Sequence, residues 1–98
     1  MPRYLMTWEM DTTKIPISPK ERANAWRPLV QMVKQDMKSG LIKEWGSYIG
    51  EHKGFGLCEG SEEQVGLMVE RYVPFVQFTT HPAVTIDQVE KLATEMAK

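Results

Sequence analysis

LIKEWGSYIGEHKGFGLCEG, residues Leu41–Gly60, decides the fold. Two stretches rich in β-formers, Leu41–Ile49 and Gly54–Glu59, flank Gly50-Glu51-His52-Lys53, a composition that reads as a hairpin turn. On either side of this hairpin lies a helix pattern, and beyond each helix another strand. Arg3–Met10 opens the chain with Tyr-Leu-Met-Thr-Trp-Glu-Met after the arginine. Phe75–Thr80 follows the second helix, with Pro74 at its entry and His81-Pro82 expected to end it. The order is β-α-β-β-α-β with one more helix at the end. This is a ferredoxin-like α+β arrangement with a four-stranded antiparallel sheet in a single domain over residues 1–98.

The helix starts are written in capping residues. Ser18-Pro19-Lys20-Glu21 places a hydroxyl at the N-cap, proline at the first helical position and glutamate at the third. Ser61-Glu62-Glu63-Gln64 and Thr85-Ile86-Asp87-Gln88 repeat the device. The first helix spans about 19–39 and stops at Gly40, with Trp26, Leu29, Val30, Val33 and Met37 as its buried stripe. Pro28 falls inside it and costs an ideal helix about 3 kcal/mol, so a kink or break is expected near Ala25–Arg27. The second helix, about 62–72, presents Val65, Met68, Val69 and Tyr72. The third, about 86–97, is expected to bury Ile86, Val89, Leu92, Ala93 and Met96.

Both faces of the strands carry apolar groups. In the first strand Tyr4, Met6, Trp8 and Met10 oppose Leu5, Thr7 and Glu9. In the second, Leu41, Trp45 and Ile49 oppose Ile42 and Tyr48. A half-solvated antiparallel sheet alternates more cleanly. A chain of 98 residues also buries only about 60–65% of its extended surface, and two helices cover one face of four strands. Something is therefore expected to cover the second face: a second copy, the C-terminal helix or a ligand. A homodimer packed sheet to sheet is the expected solution, since a twofold axis lets one patch meet itself.

Composition narrows the function. Lys+Arg is 12 against Asp+Glu 13, a net charge of −1, which disfavours nucleic-acid binding driven by a positive field. No apolar run approaches the roughly 20 residues of a membrane span, and the N-terminus lacks the apolar stretch of a signal peptide. The one cysteine, Cys58, points to a reducing compartment, so a cytoplasmic protein is expected. Two histidines and one cysteine show no metal-ligand spacing, nothing selects a haem ligand, and no cofactor is expected.

The element order, the segment Glu44-Trp45-Gly46-Ser47-Tyr48-Ile49-Gly50, the strand Phe55…Leu57…Glu59 and the Pro74-Phe75 entry resemble the dimeric α+β barrel superfamily. Within it they are similar to the muconolactone-isomerase-like proteins. The likeness spans roughly residues 3–84. The chain also resembles uncharacterised small proteins with a Leu5-Met6-Thr7-Trp8-Glu9 start and a Lys43-Glu44-Trp45-Gly46 strand. The resemblance implies two sheets facing across a dimer axis and a ligand held between a sheet and its cover. It implies no catalytic residue, because no isomerase signature is legible.

Candidate chemistry is sparse. Lys53-Gly54-Phe55-Gly56-Leu57-Cys58-Glu59-Gly60 starts like the octamer of an RNA-recognition motif and falls on the third strand. It lacks two of the aromatics and carries Glu59, and reads otherwise as a strand whose glycines allow close packing. Thr7 and Glu9 on the first strand, and Gln77, Thr79 and His81 on the fourth, share one parity and form a candidate polar cluster. Glu9 and His81 are its acid/base pair, within side-chain reach. Trp45 and Tyr48 are the candidate ligand-binding aromatics, and Met6, Trp8, Met10 and Trp45 can line an apolar pocket. The expected function is binding of a small apolar or carbonyl-containing molecule against the sheet, isomerase-like at most. The alternatives are a single-stranded nucleic-acid-binding module and an interaction protein without a site.

Overall fold

A computed structural model describes residues 2–98. β1 (Arg3–Met10), α1 (Pro19–Lys38), β2 (Ile42–Ser47), β3 (Lys53–Glu59), α2 (Glu62–Glu70), β4 (Val76–Ala83) and α3 (Ile86–Met96) follow one another. The four strands form one antiparallel sheet in the order β2-β3-β1-β4. The α+β, ferredoxin-like arrangement read from the hairpin is the one observed.

Local chemistry sets the boundaries. Ser61 and Thr85 form reciprocal capping boxes with Gln64 and Gln88. Ser18 accepts from the Glu21 amide at 3.4 Å, and Gly40 turns the chain out of α1 at φ +87°. β4 does not end at His81-Pro82 as expected but runs on to Ala83, with Pro82 opposite Tyr4. β4 is an edge strand, where a residue without an amide proton breaks no ladder on its outer side. Likewise α1 runs unbroken from Pro19 to Lys38 with Pro28 inside it, so of the kink or break expected near Ala25–Arg27 the break does not occur. Pro28 and Asn24 are both exposed, so water can take the carbonyl that the proline leaves free.

The core lies between one face of the sheet and α2 with the end of α1. Tyr4, Met6, Trp8, Ile42, Cys58, Val65, Met68, Tyr72 and Val76 are buried in one cluster. The parity expected for β2 is corrected by a bulge between Ile42 and Glu44. It inserts Lys43 and so brings Ile42, opposite Cys58, and Trp45, opposite Gly56, to the same core-facing side. Gly54 makes the closest approach in the sheet, since a Cβ there would collide with the Gly46 carbonyl oxygen and the Trp8 ring. The close-packing reading of the glycine-rich strand therefore holds at Gly54.

α3 departs most from expectation. Every one of its residues is exposed, including Ile86 at 80% and Met96 at 84%. Its amphipathic stripe faces no surface of its own chain, so it does not cover the second face of its own sheet. The molecule extends 61 Å along its longest axis, and its radius of gyration is 16.2 Å, where a compact chain of this length has about 13 Å.

Gly54→Ala is expected to lower stability by about 2–4 kcal/mol in urea unfolding, because the backbone must shift to admit the methyl group. Gly66→Ala, in α2 with nothing near the added atom, should raise it by about 1 kcal/mol. Equal stability of Gly54→Ala and the unaltered protein would contradict the packing described.

Candidate functional site

The site begins with how α1 is held. Its last turns are fastened by Asp36, a carboxylate only 3% exposed. Asp36 Oδ1 accepts from the Arg71 guanidinium at 2.6 Å, and Oδ2 accepts from the Tyr72 hydroxyl at 2.8 Å. Both donors lie just past the end of α2. The other end of α1 has no such fastening, and Asp36 is the only fully buried residue of the helix. The stripe of Trp26, Leu29, Val30, Val33 and Met37 lines a cavity of about 360 Å³ over the sheet; Leu29 and Val33 pack against the core, while Val30 and Met37 stay 46% and 43% exposed.

The floor of this cavity is the core face of the sheet: Met6, Trp8 and Met10 from β1, Ile42 and Trp45 from β2, Val76 and Phe78 from β4. Met68 and Tyr72 close one side. Met6, Trp8, Met10 and Trp45, singled out as pocket-lining residues, all stand on its wall. Trp8 and Trp45 stack at 5.2 Å with their planes 10° apart. Polar groups in the lining are few, namely Lys34, Ser47, Glu51 and His52. All three tryptophans of the chain line this one space.

Two further features were not legible in sequence. His52 reads as a plain turn residue, but it is half-buried and meets Trp26 edge to face at 5.9 Å, joining the β2–β3 hairpin to α1. Its carbonyl accepts from the Met10 amide at 2.9 Å, which anchors the turn against β1. The indole N–H groups of Trp8 and Trp26 are both buried with no acceptor from the chain. Few buried donors are left this way in native proteins.

The polar cluster expected around Glu9 lies on the opposite face of the sheet. Thr7 stands across from Thr79, and Glu9 stands between Gln77 on β4 and Lys53 on β3. With Tyr48 these residues line a shallow groove of about 180 Å³. His81 is not among them. It pairs with Leu5, four residues along the strand from Glu9, so the two are separated by about 13 Å and the proposed acid/base pair does not form. Shared parity put both on one face, but the antiparallel register sends them to opposite ends of it. Trp45 belongs to the cavity and Tyr48 to the groove, where it stacks on Phe55 at 6.3 Å. Among the described residues no three His, Cys, Asp or Glu side chains gather as a metal-binding group, and no helix is long and apolar enough to cross a membrane.

Fold and site together define an α+β protein with a ferredoxin-like sheet and an apolar chamber under its first helix. Residues 2–97 match the family model described as "Domain of unknown function (DUF3303)", and the chain belongs to that family. No curated protein gives a match to the chain.

Burial pushes the Cys58 thiol up to about 11, and burial together with the hydrogen bond to Asp36 raises the Tyr72 hydroxyl well above the ordinary phenol range. Both shifts favour the neutral form in the folded chain, so their stabilisation is complete at low pH. It declines once the unfolded chain ionises, from about 9 for the thiol and about 10 for the phenol. Stability should fall by about 1 kcal/mol per pH unit for each group as pH rises through this range. Tyr72→Phe should remove the part that begins near 10. Urea titrations giving a flat profile from pH 8 to 10.5 would count against this account.

Proposed function

We propose that this protein binds a small apolar molecule in the chamber between α1 and the sheet, and does so as a dimeric α+β barrel. The observation that carries the reading is the chamber itself. Its volume lies at the lower end of ligand pockets, its walls are aromatic, aliphatic and thioether groups, and a few polar groups are placed among them. Filling it with α1's own stripe would have released more surface from water. Met6, Met10, Met37 and Met68 adapt to the shape of a guest. The reading is of a binder, with no catalytic step assigned. The RNA-binding alternative has Phe55 and Tyr48 on the open face, but Glu9 offsets Lys53 next to Phe55 and Glu59 pairs with Arg3 at 3.3 Å, so that face offers a phosphate backbone little net positive charge. A buried free cysteine suits the reducing cytoplasm in which we place the protein.

Titration with naphthalene should shift all three indole N–H resonances in a ¹H–¹⁵N spectrum and leave the amides of α3 in place. Val30→Phe, which enlarges the lining of the chamber, should weaken that binding at least tenfold while unfolding no earlier. Undiminished binding by Val30→Phe would place the ligand elsewhere.

A second copy of the chain is the cover we propose for the open face of the sheet and for α3. Leu5 is 46% exposed on that face, with Phe55 and Leu57 beside it, and Val89 and Leu92 stand about half exposed on the projecting helix. A helix whose apolar stripe meets nothing in its own chain gains most by crossing a partner, and a specific interface needs roughly 1,200–2,000 Å² in total. Light scattering at micromolar concentration should give twice 11.3 kDa, and Leu5→Asp should return it to 11.3 kDa without loss of helix signal. A monomeric unaltered protein would overturn the dimer.

A further inference from the structure

Resting on the dimer reading above, we propose that α3 of one copy lays its apolar stripe in the mouth of the chamber of a second copy, so that each chain closes the other's chamber. The ground is where the chamber is open. Most of its lining is buried or half-buried; the exposed residues are Val30, Lys34 and Met37 on α1, and Trp45, Ser47 and Glu51 on β2 and the hairpin that follows. The chamber therefore opens along one line, between α1 and β2, and β2 is an edge strand. Val30, Met37 and Trp45 are 46%, 43% and 39% exposed, so both lips of the mouth present apolar side chains to water.

Length and charge fit α3 to that mouth. α3 has 11 residues, is about 16 Å long and is exposed throughout, its apolar stripe running from Ile86 through Val89 and Leu92 to Met96. The wall of α1 from Trp26 to Met37 has about the same length. Arg27, Lys34 and Lys38, seven and four residues apart, fall in one exposed row of α1 beside Val30 and Met37. The carboxylate among them in sequence, Asp36, is buried and bound to Arg71. Glu51, the acid of the mouth, stands at its hairpin end. α3 brings Asp87, Glu90 and Glu95 against Lys91, so a negative helix meets a positive lip. α3 cannot take this place in its own chain. β4 and β2 are opposite edges of the sheet, three strand spacings or about 14 Å apart. The link from β4 to α3, Val84-Thr85, spans about 7 Å. A twofold axis running along the strands between two facing sheets sets each β4 over the β2 of the other copy, about 10 Å away. α3 then starts beside a mouth it can reach, and the exchange is reciprocal, as a closed dimer requires. Packed helix axes stay about 8–10 Å apart, so a guest on the chamber floor lies behind the lip side chains and clear of the α3 backbone.

Mixed dimers test the seat. ¹⁵N-labelled unaltered protein is unfolded and refolded with an excess of unlabelled Lys91→Cys carrying a nitroxide, which stands on the side of α3 away from the stripe. Cys58, at 0% exposure, takes no nitroxide. Every broadened signal then reports the approach of another copy's α3. The amides of Val30–Met37 and the Trp45 indole should lose most of their intensity, and the amides of Leu5 and Thr79 on the open face should lose less. Adding Leu92→Asp to the nitroxide copy should restore the signals at the mouth; unrestored signals would deny the stripe its role. Broadening strongest at Leu5, Phe55 and Leu57 would put α3 between the sheets and overturn the seat while leaving the dimer. A dimer in light scattering that shows no broadening would overturn it too. A monomer would remove the dimer reading and the seat together, whereas the binding of naphthalene to the chamber stands or falls by its own titration.

Discussion

A buried carboxylate governs how this molecule is put together. Asp36 stands 3% exposed near the end of α1, bound to Arg71 and Tyr72 from the far side of α2. Taking a carboxylate out of water is costly, and the cost is met only where charge-assisted hydrogen bonds replace the lost hydration. Here one oxygen has a guanidinium and the other a phenol, so the two helices can satisfy the group in one relative position. The Asp36 carbonyl also accepts from the Leu41 amide at 3.0 Å, which fixes the turn into β2. One residue therefore sets where α1 ends, how α2 lies against it and where the next strand begins.

The chamber lies beside that fastening. A helix of 20 residues is about 30 Å long, and α1 is held by polar bonds only near its C-terminal end. Along its middle Leu29, Met32 and Val33 pack against the core, and nearer its start Trp26 meets His52 edge to face. Interiors are normally filled to crystal density, and empty apolar volume forfeits dispersion on every wall. A space of about 360 Å³ floored by the sheet of a 98-residue chain is thus at odds with packing for stability alone. It is consistent with a volume kept for a guest.

How far the sequence led can be traced residue by residue. The hairpin at Gly50–Lys53 and the caps at Ser61 and Thr85 act within a few residues, and local chemistry of that kind is legible. The helical stripe from Trp26 to Met37 was legible as a face but not as an unfilled one, since periodicity gives direction and not distance. The β2 parity failed at Lys43, where one inserted residue reverses every side chain before it relative to those after. Glu9 and His81 failed for a related reason, because parity is a property of one strand whereas proximity needs the register between two. Asp36, His52 and the two unpaired indoles carry no local signal, since each draws its role from a neighbour between 26 and 36 or more residues away in sequence or from the lack of one.

The alternation of β1 also separates the two surfaces on which this molecule's chemistry is arranged. Its even residues, Tyr4, Met6, Trp8 and Met10, belong to the core and the chamber floor, while Leu5, Thr7 and Glu9 stand on the open face. β1 lies between β3 and β4 and is hydrogen-bonded on both sides, so its backbone is among the least free to move in the sheet. A change at an odd position therefore alters the open face and leaves the chamber floor in place, and a change at an even position does the reverse. Trp8 on β1 and Phe78 on β4, which stand opposite one another, border both the chamber and the groove, and the Trp8 ring lies over Gly54, where no side chain keeps the two spaces apart. Chamber and open face meet at those two rings, and elsewhere along β1 they can vary independently.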